Sequence, residues 1–536
     1  MTVRREALLS ALAAALLAAL LAWFGPPGSD LAAHVYQRTV FLRDGFAFWN
    51  NFWYAGRYSY VTYSLLYYPL AALLGIRLLA VATIATASYA FTMVLWRRWG
   101  AAARWSSRTF AVVWAGIVLS AAFPFALGAA LALLAIWALQ AKARWRFALL
   151  ATLTLAASPL AFLLLGVVLA GIGLNERANL RGNVVPIVAV VAAAAAEGVL
   201  WLLFPGGGRY PFSAPEAAAG IAFCVIGIAL TWRVDDLRVL RWFFVVYLGA
   251  SLVAYLVPSA LGENVERLRF LAIPFAVLVL SVRGWRPRVP ALIVVALAVS
   301  WNLTPLAASF AKGASDPAAA AGYWTPAIRF LKTHLTPSYR IEAVDTVGHW
   351  PAVYLARADI PLARGWFRQD DFPLNRTLYR ALDEQRYLAW LRSLGVRYVV
   401  LTSAPPDYSS VGEARLLRSG RSGLRPVFRA PHTVVYAVPT PKPLVSGPGA
   451  PRVIALTQTQ LTVTIPDPAA WYRIAVRWSP YWQPSSGCAW AGGDGMLRLD
   501  PQGAPVVTLR FDVTATGALH ALERTQRRCA TPPEHE

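Results

Sequence analysis

Ala7-Leu-Leu-Ser-Ala-Leu-Ala-Ala-Ala-Leu-Leu-Ala-Ala-Leu-Leu-Ala-Trp-Phe24 is an unbroken apolar run, followed by Gly25-Pro-Pro-Gly28 and then Ser29-Asp30. About 20 apolar residues carry a helix across the hydrocarbon core of a bilayer. The run is long for the apolar part of a secretory leader. It has Arg4 and Arg5 before it and no small-x-small cleavage site after it, so it reads as a retained first span.

Outward from this run the same text recurs. Apolar stretches of Ala, Leu, Val and Ile alternate with short basic clusters up to about residue 307, and eleven spans are expected. They cover 7 to 24, 64 to 95, 109 to 122, 125 to 140, 147 to 158, 160 to 174, 184 to 203, 217 to 232, 241 to 257, 268 to 282 and 289 to 307. The second contains Gly75-Ile-Arg77 and reads as a re-entrant piece plus a span. A mean hydropathy of +0.48 fits a chain that lies mostly in lipid.

The net charge of +23 raises nucleic acid as a partner, but the basic residues do not form one patch. They collect in alternate loops, as cytoplasmic loops of membrane proteins do. Seventeen fall on one face (4, 5, 97, 98, 104, 108, 142, 144, 146, 177, 181, 233, 238, 241, 283, 286 and 288), against six on the other (38, 43, 57, 209, 267 and 269). The amino terminus is therefore expected inside, and an odd number of spans puts everything after 307 outside the membrane. No nucleic acid is implied.

Beyond the spans the composition turns globular. Residues 308–439 alternate helix and strand text: a helix at Ala327-Ile-Arg-Phe-Leu-Lys332, a strand at Arg340-Ile-Glu-Ala-Val344, a helix at Leu388-Ala-Trp-Leu-Arg-Ser393 and a strand at Val396-Arg-Tyr-Val-Val-Leu401. Residues 440–451 read as a Pro/Gly-rich linker and 452–536 as a β-sandwich-like module, ending in a frayed tail at Thr531 to Glu536. Cys224 reads as an apolar core residue of a span. Cys488 and Cys529 both fall in the outer region, where the compartment permits either a disulfide between them or two free buried thiols.

Chemistry-bearing residues concentrate in the first outer loop: Gly28-Ser-Asp-Leu-Ala-Ala-His34, Arg43-Asp-Gly-Phe-Ala-Phe-Trp49, Asn51-Phe-Trp-Tyr-Ala-Gly-Arg57 and Tyr63-Ser-Leu-Leu-Tyr-Tyr-Pro-Leu70. Asp30, just past the outer end of a span, is placed either to act as a general base beside a lipid phosphate or to cap the following helix. His34 falls four residues on, on the same helical face, where it would meet Asp30 in a polar contact or around a shared divalent metal. The sequence does not require a metal. Arg57, Arg267 and Arg269 are positioned for a lipid phosphate; Glu263 and Glu266 would pair with the last two. Trp49, Trp53, Tyr54, Tyr67 and Tyr68 would stack on sugars, line a lipid groove or form an interfacial aromatic belt. Asp370-Asp371 would touch an acceptor or sit in a solvated loop.

This layout resembles the GT-C superfamily of integral-membrane glycosyltransferases. More narrowly, with Pro258-Ser-Ala-Leu-Gly-Glu-Asn-Val-Glu-Arg-Leu-Arg269 and Arg477-Trp-Ser-Pro-Tyr-Trp482, it is similar to bacterial multi-spanning proteins labelled 6-pyruvoyl-tetrahydropterin-synthase-related, a label that does not imply pterin chemistry. The resemblance covers nearly the whole chain. It implies a bacterial plasma-membrane enzyme that moves a sugar from a polyprenyl-phosphate donor to an outer glycan, lipid or protein. It puts Asp30 in the acidic position; by their place in the outer loops His34, Arg57, Trp53, Tyr54, Glu263, Glu266, Arg267 and Arg269 are expected around substrate. Asp30 is followed by Leu31 and Ala32, so the second acidic residue of a DxD-type loop is missing.

Walker A, GxGxxG, HExxH and CxxC patterns are missing, which removes sequence support for ATP hydrolysis, dinucleotide redox and zincin proteolysis. A transporter would carry more charge within spans than Glu197 and Arg77. A non-catalytic protein handling or exporting lipid-linked glycan keeps the same architecture and is the competing expectation. A pure binding module needs far fewer spans.

Overall fold

The computed structural model describes residues 2–176, 183–206 and 208–523. Arg177, Arg181, Cys529 and the 531–536 tail lie outside the described residues. The chain forms two compact units: Met1–Leu31, Tyr63–Val199 and Arg209–Ser315 make the first, and Ala32–Thr62, Leu200–Gly208 and Asp316–Glu536 the second. This partition differs from a cut at 307, because 32–62 and 200–208 group with the carboxy-terminal residues.

Up to residue 315 the helices are α1 Val3–Phe24, α2 Leu31–Asp44, which belongs almost wholly to the second unit, α3 Tyr67–Leu74, α4 Ile76–Trp99, α5 Arg104–Ala115, α6 Ile117–Ser120, α7 Phe123–Gln140, α8 Arg144–Ala157, α9 Pro159–Glu176, α10 Val184–Leu203, α11 Ala214–Thr231, α12 Arg238–Leu256, α13 Ala272–Val282 and α14 Arg288–Ala314. Among the described residues, eight helical segments are long and apolar enough to cross a membrane. The figure is below eleven because α4 to α6 form one run of 45 residues, and because α8 (14 residues) and α13 (11 residues) are short. The predicted break near Gly75 is present: α3 ends there and α4 begins after it, Gly75 taking φ 78°.

Side-chain size is distributed as lipid demands. On α1, Leu8, Leu12, Leu16 and Leu20 recur at every fourth residue and are exposed, whereas Ala7, Ala14 and Ala18 are buried. Lipid tails are as apolar as leucine, so packing selects small residues inside and leaves large ones to the bilayer. Gly128 shows the same rule: a Cβ there would lie 2.6 Å from the Cβ of Ala161, so α7 and α9 approach closely only because it is glycine.

The second unit holds a short hairpin, β1 Trp49–Asn50 with β2 Arg57–Tyr58, and two larger bodies. In the α/β part, β3 Arg340–Ala343 pairs in parallel with β4 Val396–Thr402, and β6 Thr433–Ala437 and β5 Arg425–Ala430 follow antiparallel, in the order β3-β4-β6-β5. The remaining strands are β7 Val445–Ser446, β8 Arg452–Leu456, β9 Gln460–Thr464, β10 Tyr472–Arg477, β11 Trp482–Pro484, β12 Cys488–Ala491, β13 Met496–Asp500 and β14 Val506–Phe511. They form two antiparallel four-stranded sheets, β12-β13-β10-β7 and β11-β14-β9-β8. Val463, Ile474, Leu499, Val507 and Leu509 point into one apolar core. The expected linker at 440–451 is not merely a tether: Leu444 and Val445 are buried and β7 pairs with β10. Prolines and glycines at 439–451 punctuate that strand without preventing it.

Candidate active site

In the first unit the loop Gly28-Ser29-Asp30 lies along the end of α6. Ser29 N–H donates to Leu119 O at 3.1 Å and Asp30 N–H to Ser120 O at 2.9 Å. A Cβ on Gly28 would sit 2.5 Å from Val118 O, so only glycine permits this approach. Ala121 takes a left-handed conformation, φ 54°, to turn the chain into α7. These backbone bonds fix where the Asp30 carboxylate is offered.

Tyr63 reports what surrounds it. Its phenol is raised well above the usual range, first by burial and then by the charge of Asp30, with Arg267 acting in the opposite direction. Asp30 and Arg267, 237 positions apart in the sequence, thus act on one phenol. Tyr63 carries no sequence signal of its own, since an aromatic next to a span is ordinary.

Arg267 and Arg269 occupy a 3₁₀ turn, Gly262–Leu271. Arg269 is spent on carboxylates: it bonds Glu216, and its Nε lies 3.8 Å from Glu266. Glu266 is buried and its carboxyl is raised, chiefly by that burial; Gly220 leaves the space it fills. Asn302 of α14 locks the turn, accepting from Ile273 N–H and donating to Arg269 O. Arg267 differs. Among the described residues it forms no ion pair; one N–H donates to Asn264 Oδ1 at 3.0 Å, its Nε is buried without a partner, and its Cζ lies 5.0 Å above the Phe125 ring. The expected pairing with Glu263 is not formed, and the Glu263 carboxyl is raised by burial and by Glu216.

Arg267 also lines a cavity of about 980 Å³ walled by α4, α7, α9, α10 and α12, with side chains such as Phe91, Leu133, Ile136, Leu165 and Val190. Between its two ends the walls are mainly apolar. An arginine with a spare donor therefore stands at one end of a greasy chamber.

The second unit holds the other expected site residues. His34 is buried on α2. Arg57 does not wait for a phosphate: its Nε bonds Asp370 Oδ2 at 2.6 Å and its guanidinium lies 3.8 Å from the centre of the Phe367 ring. Asp371 accepts from two N–H groups on one edge of the Arg364 guanidinium, Nε at 3.1 Å and Nη2 at 2.6 Å, and from Tyr379. Asp370-Asp371 is thus a buried, paired dyad and not a solvated loop. Trp53 and Tyr54 are buried, with Trp53 Nε1–H donating to Ala352 O and Tyr54 O–H to Phe367 O, which makes them packing residues here and not sugar platforms. Trp49, and in the first unit Tyr67 and Tyr68, are likewise at most 1% exposed, so none belongs to an interfacial belt. No set of three or more His, Cys, Asp or Glu side chains suited to a metal occurs among the described residues.

No family model and no curated protein matches the chain. Solved structures do. One of the mycobacterial arabinofuranosyltransferase AftD, the R1389S class 2 form, aligns over 82% of this chain and 42% of that one, with 18% identity and a TM-score of 0.51. The chain has a GT-C-like fold. A second AftD structure matches at 19% identity and TM-score 0.47, covering 82% and 40% of the two chains. ArnT from Cupriavidus metallidurans matches at 13% and 0.36, covering 80% and 97%. The chain spans about two fifths of the AftD chains. The acidic role of Asp30 and the narrower likeness to 6-pyruvoyl-tetrahydropterin-synthase-related proteins stay expectations.

Proposed function

We propose that the chain is a membrane glycosyltransferase of the plasma membrane of a bacterium, moving a sugar from a polyprenyl-phosphate donor onto a glycan, lipid or protein acceptor outside the cell. The observation that carries this reading is that the charges of Asp30 and Arg267 both act on the buried Tyr63 phenol, with Arg267 at the end of an apolar chamber. A donor with a long apolar tail and an anionic head needs those two environments side by side.

The chemistry follows from the charges. The acceptor hydroxyl gives its proton to the Asp30 carboxylate as its oxygen bonds the anomeric carbon. The bond from that carbon to the phosphate oxygen breaks, and polyprenyl phosphate leaves with the electron pair. Arg267 faces the growing charge, where a guanidinium with an unpaired N–H acts most strongly because water is excluded. Tyr63 stays protonated throughout. A well-placed base contributes about 10²- to 10⁴-fold. No step runs through a metal.

The reading is tested by incubating purified full-length protein with a panel of radiolabelled polyprenyl-phosphate sugars and membrane acceptors. Labelled acceptor together with released polyprenyl phosphate supports transfer. Tight donor binding with no release across the panel would point instead to handling or export of lipid-linked glycan.

A further inference from the structure

The far end of the membrane chamber does not suit a polyprenyl tail. The cavity follows α7 from Phe125 to Gln140, about 22 Å at 1.5 Å per residue, a large part of the roughly 30 Å hydrocarbon thickness. At the end away from Arg267 its lining becomes polar: Arg97, Arg98, Lys142, Arg144, Gln140 and Asn175, with Glu176 as the acidic member. None of the four cations is ion-paired among the described residues. Gln140 donates through Nε2 to Val94 O, which fixes its amide and leaves Oε1 buried without a donor. Asn175 Oδ1 is buried without a donor as well. Along the wall, Gly166 and Gly173 face open space where a Cβ would be.

We infer that this end binds a phospholipid of phosphatidylglycerol type, its phosphate among Arg97, Arg98, Lys142 and Arg144, its headgroup hydroxyls donating to Gln140 and Asn175, and its acyl chains lying along Gly166 and Gly173 in the half of the chamber away from Arg267, which leaves the Arg267 half to the donor. The four cations select a net anionic head. The two amide oxygens require a head that also donates hydrogen bonds. An ethanolamine head supplies donors but places an ammonium among like charges, and an isoprenoid terminus supplies neither feature. The four basic residues belong to the face where the charge bias puts the cytoplasm, so the lipid would come from the leaflet opposite the Arg267 end. The inference does not depend on the chain being a transferase.

Delipidated full-length protein in detergent is titrated with phosphatidylglycerol, phosphatidylethanolamine or phosphatidylcholine, and bound lipid is counted by native mass spectrometry. One phosphatidylglycerol per chain is expected, held about tenfold more tightly than phosphatidylcholine, a modest preference for four basic residues. The Arg97→Ala, Arg98→Ala, Lys142→Ala, Arg144→Ala variant removes that preference. Gly166→Leu, or Gly173→Leu where the first fails to fold, removes retention of both lipids by filling the chamber. Equal retention of phosphatidylethanolamine, competition by tail-free glycerol phosphate at the same concentration, or retention unchanged in both variants would overturn the assignment.

Discussion

Arg269 is held by Glu216 and Glu266, while Arg267, two residues earlier, keeps a buried Nε unpaired above Phe125. Substitution should therefore separate them. Arg267→Gln is expected to lower kcat/KM for sugar transfer by about 10²- to 10³-fold, the loss typical of one donor that faces developing charge, with the melting temperature unchanged. Arg269→Gln leaves Glu266 buried without its partner and is expected to destabilise by about 3 kcal/mol. Steady-state kinetics and thermal melts of both variants decide this. In the second unit, burial pushes the Glu413 carboxyl up to about 7, and its neighbour Glu342 moves the same way. A carboxyl raised in the folded state keeps a proton that the unfolded chain has released. Its contribution is therefore full below the unfolded value of 4.5 and is lost as pH rises to about 7, amounting to about 3 kcal/mol. Melting temperature should fall between pH 5 and 7.5, and the Glu342→Gln, Glu413→Gln variant should flatten that fall; an unchanged slope would refute it.

The elements themselves were largely readable from the chain. Each apolar run expected as a span became one or more helices, and the strands at 340, 396, 461, 472 and 506 formed where β-branched residues alternate. What escaped reading was pairing over distance. Arg57 meets Asp370, 313 positions away, and nothing local to either tells that the other will cancel its charge in a buried site. Asp370-Asp371 looked solvated for that reason, and the aromatics of the first outer loop looked like a belt because burial, not composition, separates belt from core. Gly28 makes a test at this scale. Gly28→Val places a Cβ 2.5 Å from Val118 O and must push the Asp30 loop off α6. A displacement near 1 Å at a base costs about 10²-fold, so transfer should drop by that order while donor binding, measured by lipid retention, stays within a few fold.

For the whole molecule, the charge bias of alternate loops predicts a side for every segment. Arg5→Cys and Lys142→Cys should be protected from an impermeant thiol reagent in intact cells, and Gln502→Cys should be labelled; labelling at the first two with protection of the third would invert the orientation. The division into two units was not legible, because it depends on which parts of the chain gather and not on where hydropathy changes: 32–62 reads as an interhelical loop yet groups with the carboxy-terminal residues. The transferase account stands on Asp30. The most direct measurement is radiolabelled sugar transfer by wild type and by Asp30→Asn at equal folded yield. The account predicts that transfer falls by at least about 10²-fold with donor binding retained. Transfer at the wild-type rate would contradict it and leave Asp30 as the residue just before α2.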